Sequence, residues 1–154
     1  ELKALGVKRK DRGKITDEFL TFMNRAFNQD QMELNGQKFL FKPRPLKPPL
    51  YIAGSKDYSI KRAVRYGDGW IPIAREPEDI KESLEEYKKL CASYNKPSDR
   101  ISVVSWINPK NKNYSLKKLK KFEDMGIERL ICGLQYNDIK DYLEQIDLVK
   151  SFSS

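Results

Sequence analysis

"LYIAGSKDYSIKRAVRYGDGW", residues 50–70, is the stretch whose reading decides the fold. An apolar run from Leu50 to Ala53 stops at two small residues, Gly54 and Ser55. A basic segment with Lys56, Lys61, Arg62 and Arg65 follows, and Gly67-Asp68-Gly69 then leads back into apolar residues at Trp70. An apolar run, a small-residue turn, an amphipathic segment and a second apolar run spell strand, helix, strand. Two strands joined through a helix lie parallel, because the chain must cross back over the sheet before it can start the second.

The same rhythm runs to the carboxyl end. A second apolar run (70–73) precedes a helix opened by Glu76-Pro77-Glu78-Asp79, with proline suited to a first turn and acids suited to the positive end of the helix. Ile80, Leu84, Tyr87, Leu90 and Tyr94 form its apolar face. Residues 101–107, rich in β-branched side chains, predict a third strand. Ser115 is placed to cap a helix bearing Leu116, Leu119 and Phe122, which Gly126 would stop. Arg129 to Cys132 predict a fourth strand, and Ile139, Leu143, Ile146 and Val149 the inner face of a last helix. Residues 50–154 therefore predict four βα units on a parallel sheet. If the sheet curls, four units are half of an eight-fold barrel; if it is doubly wound, helices cover both faces.

Upstream, Ile15, Phe19, Phe22, Met23 and Ala26 predict a helix over 15–28, with Thr16-Asp17-Glu18 in its first turn. Asn35-Gly36, a favoured two-residue turn, predicts a small hairpin over 31–41. Pro43, Pro45, Pro48 and Pro49 then stiffen an extended connection. The expectation for 1–154 is a single α/β domain: helix, hairpin and proline connection over 1–49, then four βα units over 50–154.

Composition narrows the chemistry. The chain has 154 residues and no histidine, which argues against zinc and against histidine-based acid–base catalysis. Cys91 and Cys132 stand far apart without a partner motif, and both are expected to be inert core thiols of a protein in a reducing cytoplasm. No apolar run approaches a membrane span, so no membrane partner is expected. The net charge of +8 lies wholly in the front half: residues 1–75 hold 16 Lys and Arg against 8 Asp and Glu, and residues 76–154 hold 14 of each. That bias favours an anionic partner. The basic residues are scattered and do not interleave with aromatics, so no nucleic-acid face is expected. The chain opens at Glu1 without a methionine, and it reads as a processed or excised piece, or as one whose beginning was not recorded.

In parallel α/β folds, ligands bind at the carboxyl ends of the strands. Gly54 would let the backbone turn tightly and a ligand approach it, and Ser55 and Lys56 would point free N–H groups from the helix start. A phosphate suits such a helix start, with a hydroxyl from Ser59 and a charge from Lys56. An ordinary βα turn with Ser55 as its N-cap accounts for the same residues. Trp70 reads as a core residue of the next strand, or as a ring facing a barrel mouth. Asp57 and Asp68 lie near the same end, where cap and turn roles explain both.

Three segments together resemble the luciferase-like monooxygenase family of flavin- and deazaflavin-dependent barrel enzymes. The first is Glu1-Leu2-Lys3-Ala4-Leu5-Gly6-Val7 with Arg12 and Asp17-Glu18 downstream. The second is Gly36, Phe39 and Phe41 followed by Pro43, Pro45, Pro48 and Pro49. The third is residues 50–70, similar to the family's pattern of a strand, small residues, a basic helix and glycine-aspartate-glycine-tryptophan. The resemblance implies the carboxyl-terminal half of a (β/α)8 TIM barrel, in an oxidoreductase using FMN or coenzyme F-420 on a small organic substrate. Gly54, Ser55, Lys56 and Ser59, with Trp70, would then hold the cofactor, the first four around its phosphate. Ser55 departs from the family, which usually has a second glycine there. Half of a barrel would carry an incomplete active site, and a non-catalytic flavin-binding or scaffold protein is the alternative. Its exposed edges predict a homodimer.

Overall fold

A computed structural model describes residues 3–152 of the chain, so Glu1 and Leu2 of the first family-like segment lie outside the described residues. The chain divides into two compact units, residues 1–49 and 50–154.

In the first unit, helix α1 (Arg12–Ala26) is followed by strands β1 (Gln31–Leu34) and β2 (Gln37–Leu40). The helix begins three residues before the expected Ile15, and its first turn holds no acid. Thr16, expected to support the helix start, instead donates its hydroxyl back to the Arg12 carbonyl at 2.7 Å. The two strands pair antiparallel with Leu34 opposite Gln37. Between them Asn35 (φ 51°) and Gly36 (φ 77°) both adopt the left-handed region that a type I′ turn requires. Leu20, Ala26 and Met32 are the buried apolar residues of this unit. Asp30 binds Lys42 and Arg44, and those hydrogen bonds hold its carboxyl below the usual range.

The second unit contains β3 (Tyr51–Ala53), α2 (Asp57–Tyr66), β4 (Gly69–Ile71), a 3-10 turn (Pro77–Ile80), α3 (Lys81–Ser93), β5 (Ser102–Trp106), α4 (Lys112–Asp124), β6 (Arg129–Gly133) and α5 (Ile139–Lys150). Strands β3 and β4 pair in parallel, as do β5 and β6. Parallel bridges from Trp70 to Ile101 and from Ile73 to Val104 join β4 to β5. The order β3-β4-β5-β6 follows from these contacts.

Glu76 and Asp79 form a reciprocal capping box at the 3-10 turn, each side chain satisfying the other's end of the turn. The cap of α4 is Asn111, whose side chain accepts from the Tyr114 amide, and not the expected Ser115. Ser115 lies one turn into that helix, buried, and donates its hydroxyl to the Asn108 carbonyl at 2.7 Å.

The core lies between the sheet and its helices. Ile60 and Val64 of α2, Leu84 and Tyr87 of α3, and Phe122 of α4 pack on Trp70, Ile101 and Val103. Because side chains alternate along a strand, the intervening residues point to the opposite face. There Ile73, Trp106 and Ile131 remain 57%, 40% and 44% exposed. Across that face Tyr51, on β3, donates its hydroxyl to Glu128, immediately before β6, at 3.1 Å. The Tyr51 ring lies over Gly69 of β4, where a Cβ would come 2.4 Å from the ring, and so carries the hydroxyl across the sheet toward β6.

Two expectations fail at the carboxyl end. Cys91 is buried, but Cys132 is exposed on the outer strand β6, which has no second strand partner among the described residues. In α5 the expected inner residues Ile139 and Leu143 are exposed, while Gln145 is the buried one, held by the Gln135 carbonyl at 2.7 Å. Among the described residues no helix is long and apolar enough to cross a membrane.

The turn before β4 is tied to the start of β3. Asp68 accepts the Leu50 amide on its carboxylate at 2.8 Å and donates its own amide to the Leu50 carbonyl at 2.7 Å. Replacing Asp68 by Ala removes the acceptor of a half-buried amide and should cost about 1–3 kcal/mol. Asp68→Asn, which retains an acceptor, should cost less. Urea unfolding checks this; an unchanged midpoint for Asp68→Ala would show that the clamp contributes nothing.

Candidate functional site

Strand β3 ends at Ala53, and both backbone groups of the next residue are already engaged. The Gly54 amide donates to the Ile71 carbonyl at 3.0 Å. The Gly54 carbonyl accepts from the indole Nε1 of Trp70 at 2.6 Å. Gly54 has φ +112°, and a Cβ there would lie 2.5 Å from the Ser59 hydroxyl oxygen. Glycine is required on both counts, by the conformation and by the close approach of Ser59.

The chain then enters α2 without a side-chain cap. Lys56 occupies the N-cap position in an extended conformation and makes no capping bond, so Ser55 is not the cap. The amides of Ser55, Lys56, Asp57 and Tyr58 have no hydrogen-bond acceptor among the described residues. They are the open donors of the helix start, where the helix dipole also favours negative charge. The Ser55 carbonyl is fixed from the side by the Ser83 hydroxyl of α3 at 3.2 Å. Ser59 is only 6% exposed, and its hydroxyl lies against Gly54. Lys56 is exposed and forms no ion pair among the described residues. Asp57 is turned toward Lys61 on the outer side of the helix, 3.8 Å away.

Of the five residues expected to bind a cofactor, Gly54, Ser55, Lys56 and Ser59 share this one loop. Trp70 joins them from below. It is fully buried and stacked on Tyr87, with ring centroids 5.0 Å apart and planes 25° from parallel. It therefore presents no ring to a ligand in this structure and acts through the Gly54 carbonyl. Burial pushes the Tyr87 phenol well above its usual range, so the partner of Trp70 is neutral at physiological pH. Asp68, the other acidic residue near the loop, serves the clamp to Leu50.

A second feature was not foreseen. A cleft of about 760 Å³ opens at the carboxyl ends of β4, β5 and β6. Its charged lining is Arg75, Glu76, Lys110, Lys118 and Asp141, and Trp106 contributes the aromatic floor. Glu76 accepts from the Tyr114 hydroxyl at 2.5 Å and from the buried Lys118 ammonium at 3.3 Å. The Tyr114 phenol is raised by that bond to Glu76. Lys118 also donates to the Trp106 carbonyl at 2.8 Å. Asp141 pairs with Lys110 at 2.7 Å and accepts from the Asn137 amide and Gln145, which together hold its carboxyl down to about 2. The signal was positional only: the groups come from three segments far apart in sequence, each running from a strand's carboxyl end into the helix that follows.

Residues 1–109 match the family model described as luciferase-like monooxygenase. A 64-residue stretch is 34% identical to the F420-dependent hydroxymycolic acid dehydrogenase of Mycobacterium tuberculosis (strain ATCC 25618 / H37Rv), covering 42% of this chain and 16% of that protein. Among solved structures, an F420-dependent secondary alcohol dehydrogenase in complex with an F420-acetone adduct matches with a TM-score of 0.74 and 15% identity, over 99% of this chain and 64% of that one. The latter likeness is one of fold. The chain thus spans a small part of the curated relative it matches and just under two thirds of the solved one. With the family model matching more than two thirds of its length, the chain belongs to the luciferase-like monooxygenase family.

Proposed function

We propose that this chain is part of a deazaflavin-dependent oxidoreductase and that the β3–α2 loop holds the phosphate of the cofactor. The observation that carries the reading is the uncapped start of α2, where four successive amides stand open beside the hydroxyl of Ser59. A phosphate supplies the acceptors that those donors lack, and the positive end of the helix favours its charge. Lys56 adds a cation at the rim. Asp57, facing Lys61, leaves the inner side of the turn to the anion. Both named relatives are F420-dependent, which favours coenzyme F420 over the FMN that the family also uses.

The deazaflavin supplies hydride acceptance and donation when bound. This chain's residues fix its position. Gly54 lets Ser59 approach, Trp70 orients the Gly54 peptide, and the Ser83 hydroxyl braces the Ser55 carbonyl. With α2, α3 and α4 on one face of the sheet, the four βα units suit the carboxyl-terminal half of an eight-fold barrel. The remaining wall around the cofactor would then come from strands beyond this chain, and its activity would be that of the completed barrel.

Titration with F420 and FMN, followed by absorbance and fluorescence, tests the cradle. F420 should bind more tightly than FMN. Ser59→Ala should weaken it about fivefold, the scale of one hydrogen bond of ~1 kcal/mol, and Lys56→Gln should weaken it further at low salt than at high salt. Failure of both cofactors to bind, or binding indifferent to both substitutions, would count against the loop.

The outer strands β3 and β6 have no second strand partner among the described residues, and Ile73, Trp106 and Ile131 stand exposed on the face opposite the helices. Open edges and apolar patches favour association. We expect the isolated chain to form a two-fold dimer, seen by light scattering over a dilution series. A monomer at all concentrations, unfolding sharply, would contradict this.

A further inference from the structure

We propose that the cleft at the carboxyl ends of β4, β5 and β6 is the substrate site, and that it takes a flat-ringed organic compound bearing one negative charge. The ring would lie on the Trp106 indole and the charge on the Arg75 guanidinium. The assignment to substrate rests on the reading that the cofactor occupies the β3–α2 loop.

The volume of about 760 Å³ falls within the range of small-molecule sites. Its charge balance selects the ligand. Three cations and two carboxylates line it. Lys110 is matched by Asp141 and Lys118 by Glu76. Arg75 makes no ion pair or side-chain hydrogen bond among the described residues; only its backbone engages neighbours, the amide bonding Asp79 and the carbonyl accepting the Ser105 hydroxyl. One positive charge is left over, on a planar fork that suits a carboxylate. A cation would be repelled, and a dianion would leave one charge unmatched in the cleft.

The aromatic floor is equally specific. Trp106 is 40% exposed at the end of β5, and its indole N–H has no acceptor among the described residues. The ring lies against the backbone of Gly133 on β6: a Cβ there would come 2.7 Å from Nε1 and 2.8 Å from Cδ1. Glycine at 133 thus lets the indole settle onto the neighbouring strand. A large ring held in place at a cleft, its N–H free, offers a stacking surface and one donor to a planar ligand. The side chains of Asn108 and Gln135 complete a polar rim. A small aromatic carboxylate satisfies the charge, the ring and the rim together.

The test uses the full chain without cofactor, with benzoate, benzyl alcohol and acetate as probes at neutral pH. The readout is the indole N–H resonance of Trp106, with that of the buried Trp70 as an internal reference for folding. Benzoate should shift the Trp106 signal and saturate, while benzyl alcohol and acetate should each bind at least about tenfold more weakly. Arg75→Gln should weaken benzoate roughly tenfold, as expected for the loss of one charge-assisted contact, and leave benzyl alcohol unchanged. Gly133→Ala, which displaces the indole, should weaken both ring compounds. No saturable shift with benzoate, acetate binding as tightly as benzoate, or benzoate binding indifferent to Arg75→Gln would each overturn the proposal. Because no cofactor is present and the loop residues are untouched, these outcomes are independent of the cradle at Ser59.

Discussion

The hydrogen bond from the buried Trp70 indole to the Gly54 carbonyl, 2.6 Å long, organises the candidate site. An indole N–H sealed in a core needs an acceptor, and leaving it unpaired costs the full desolvation of the group. Here the acceptor is the last peptide of β3, whose amide is already in the sheet with Ile71. With both ends of Gly54 fixed, the chain can leave the strand in one direction only. That exit requires a positive φ and puts the next four amides at the open end of α2. The core residue and the candidate loop are therefore linked: Trp70, stacked on Tyr87, holds the peptide from which the open amides follow.

A second tie crosses the sheet. Tyr51, lying over Gly69 of β4, reaches Glu128 just before β6 and links the two outer strands. The carboxyl ends of β4, β5 and β6 meet around a common cleft, to which segments remote in sequence contribute Arg75, Trp106 and Asp141. Ile73 and Ile131 stay exposed on the face opposite the helices. The loop at the end of β3 and the cleft beyond it sit at the carboxyl ends of the strands, where ligands of parallel α/β folds bind.

Much of this was legible in the sequence. Residues 50–70 announced the βα unit, because small residues after an apolar run have few uses other than a tight turn, and α2 spans Asp57–Tyr66 as its periodicity implied. That Gly54, Ser55, Lys56 and Ser59 lie together was legible for the same reason, since all four fall within six residues of the chain. Helix starts were less so. At α4 the preference of Ser115 for a cap was overridden by Asn111, one turn earlier, and Ser115 was buried against Asn108 instead. At α5 the apolar pattern of Ile139 and Leu143 pointed to a core that these residues do not reach, while Gln145 found a buried carbonyl. The cleft was illegible because it depends on three loops being brought together and on Gly133 making room for an indole 27 positions earlier.

Backbone amide resonances during titration with inorganic phosphate test the central claim most directly. If the open start of α2 is the anion site, the signals of Ser55, Lys56, Asp57 and Tyr58 should move together and saturate, while the Gly54 amide, held by Ile71, moves least. Phosphate shifts confined to other residues, or none that saturate, would contradict the cradle.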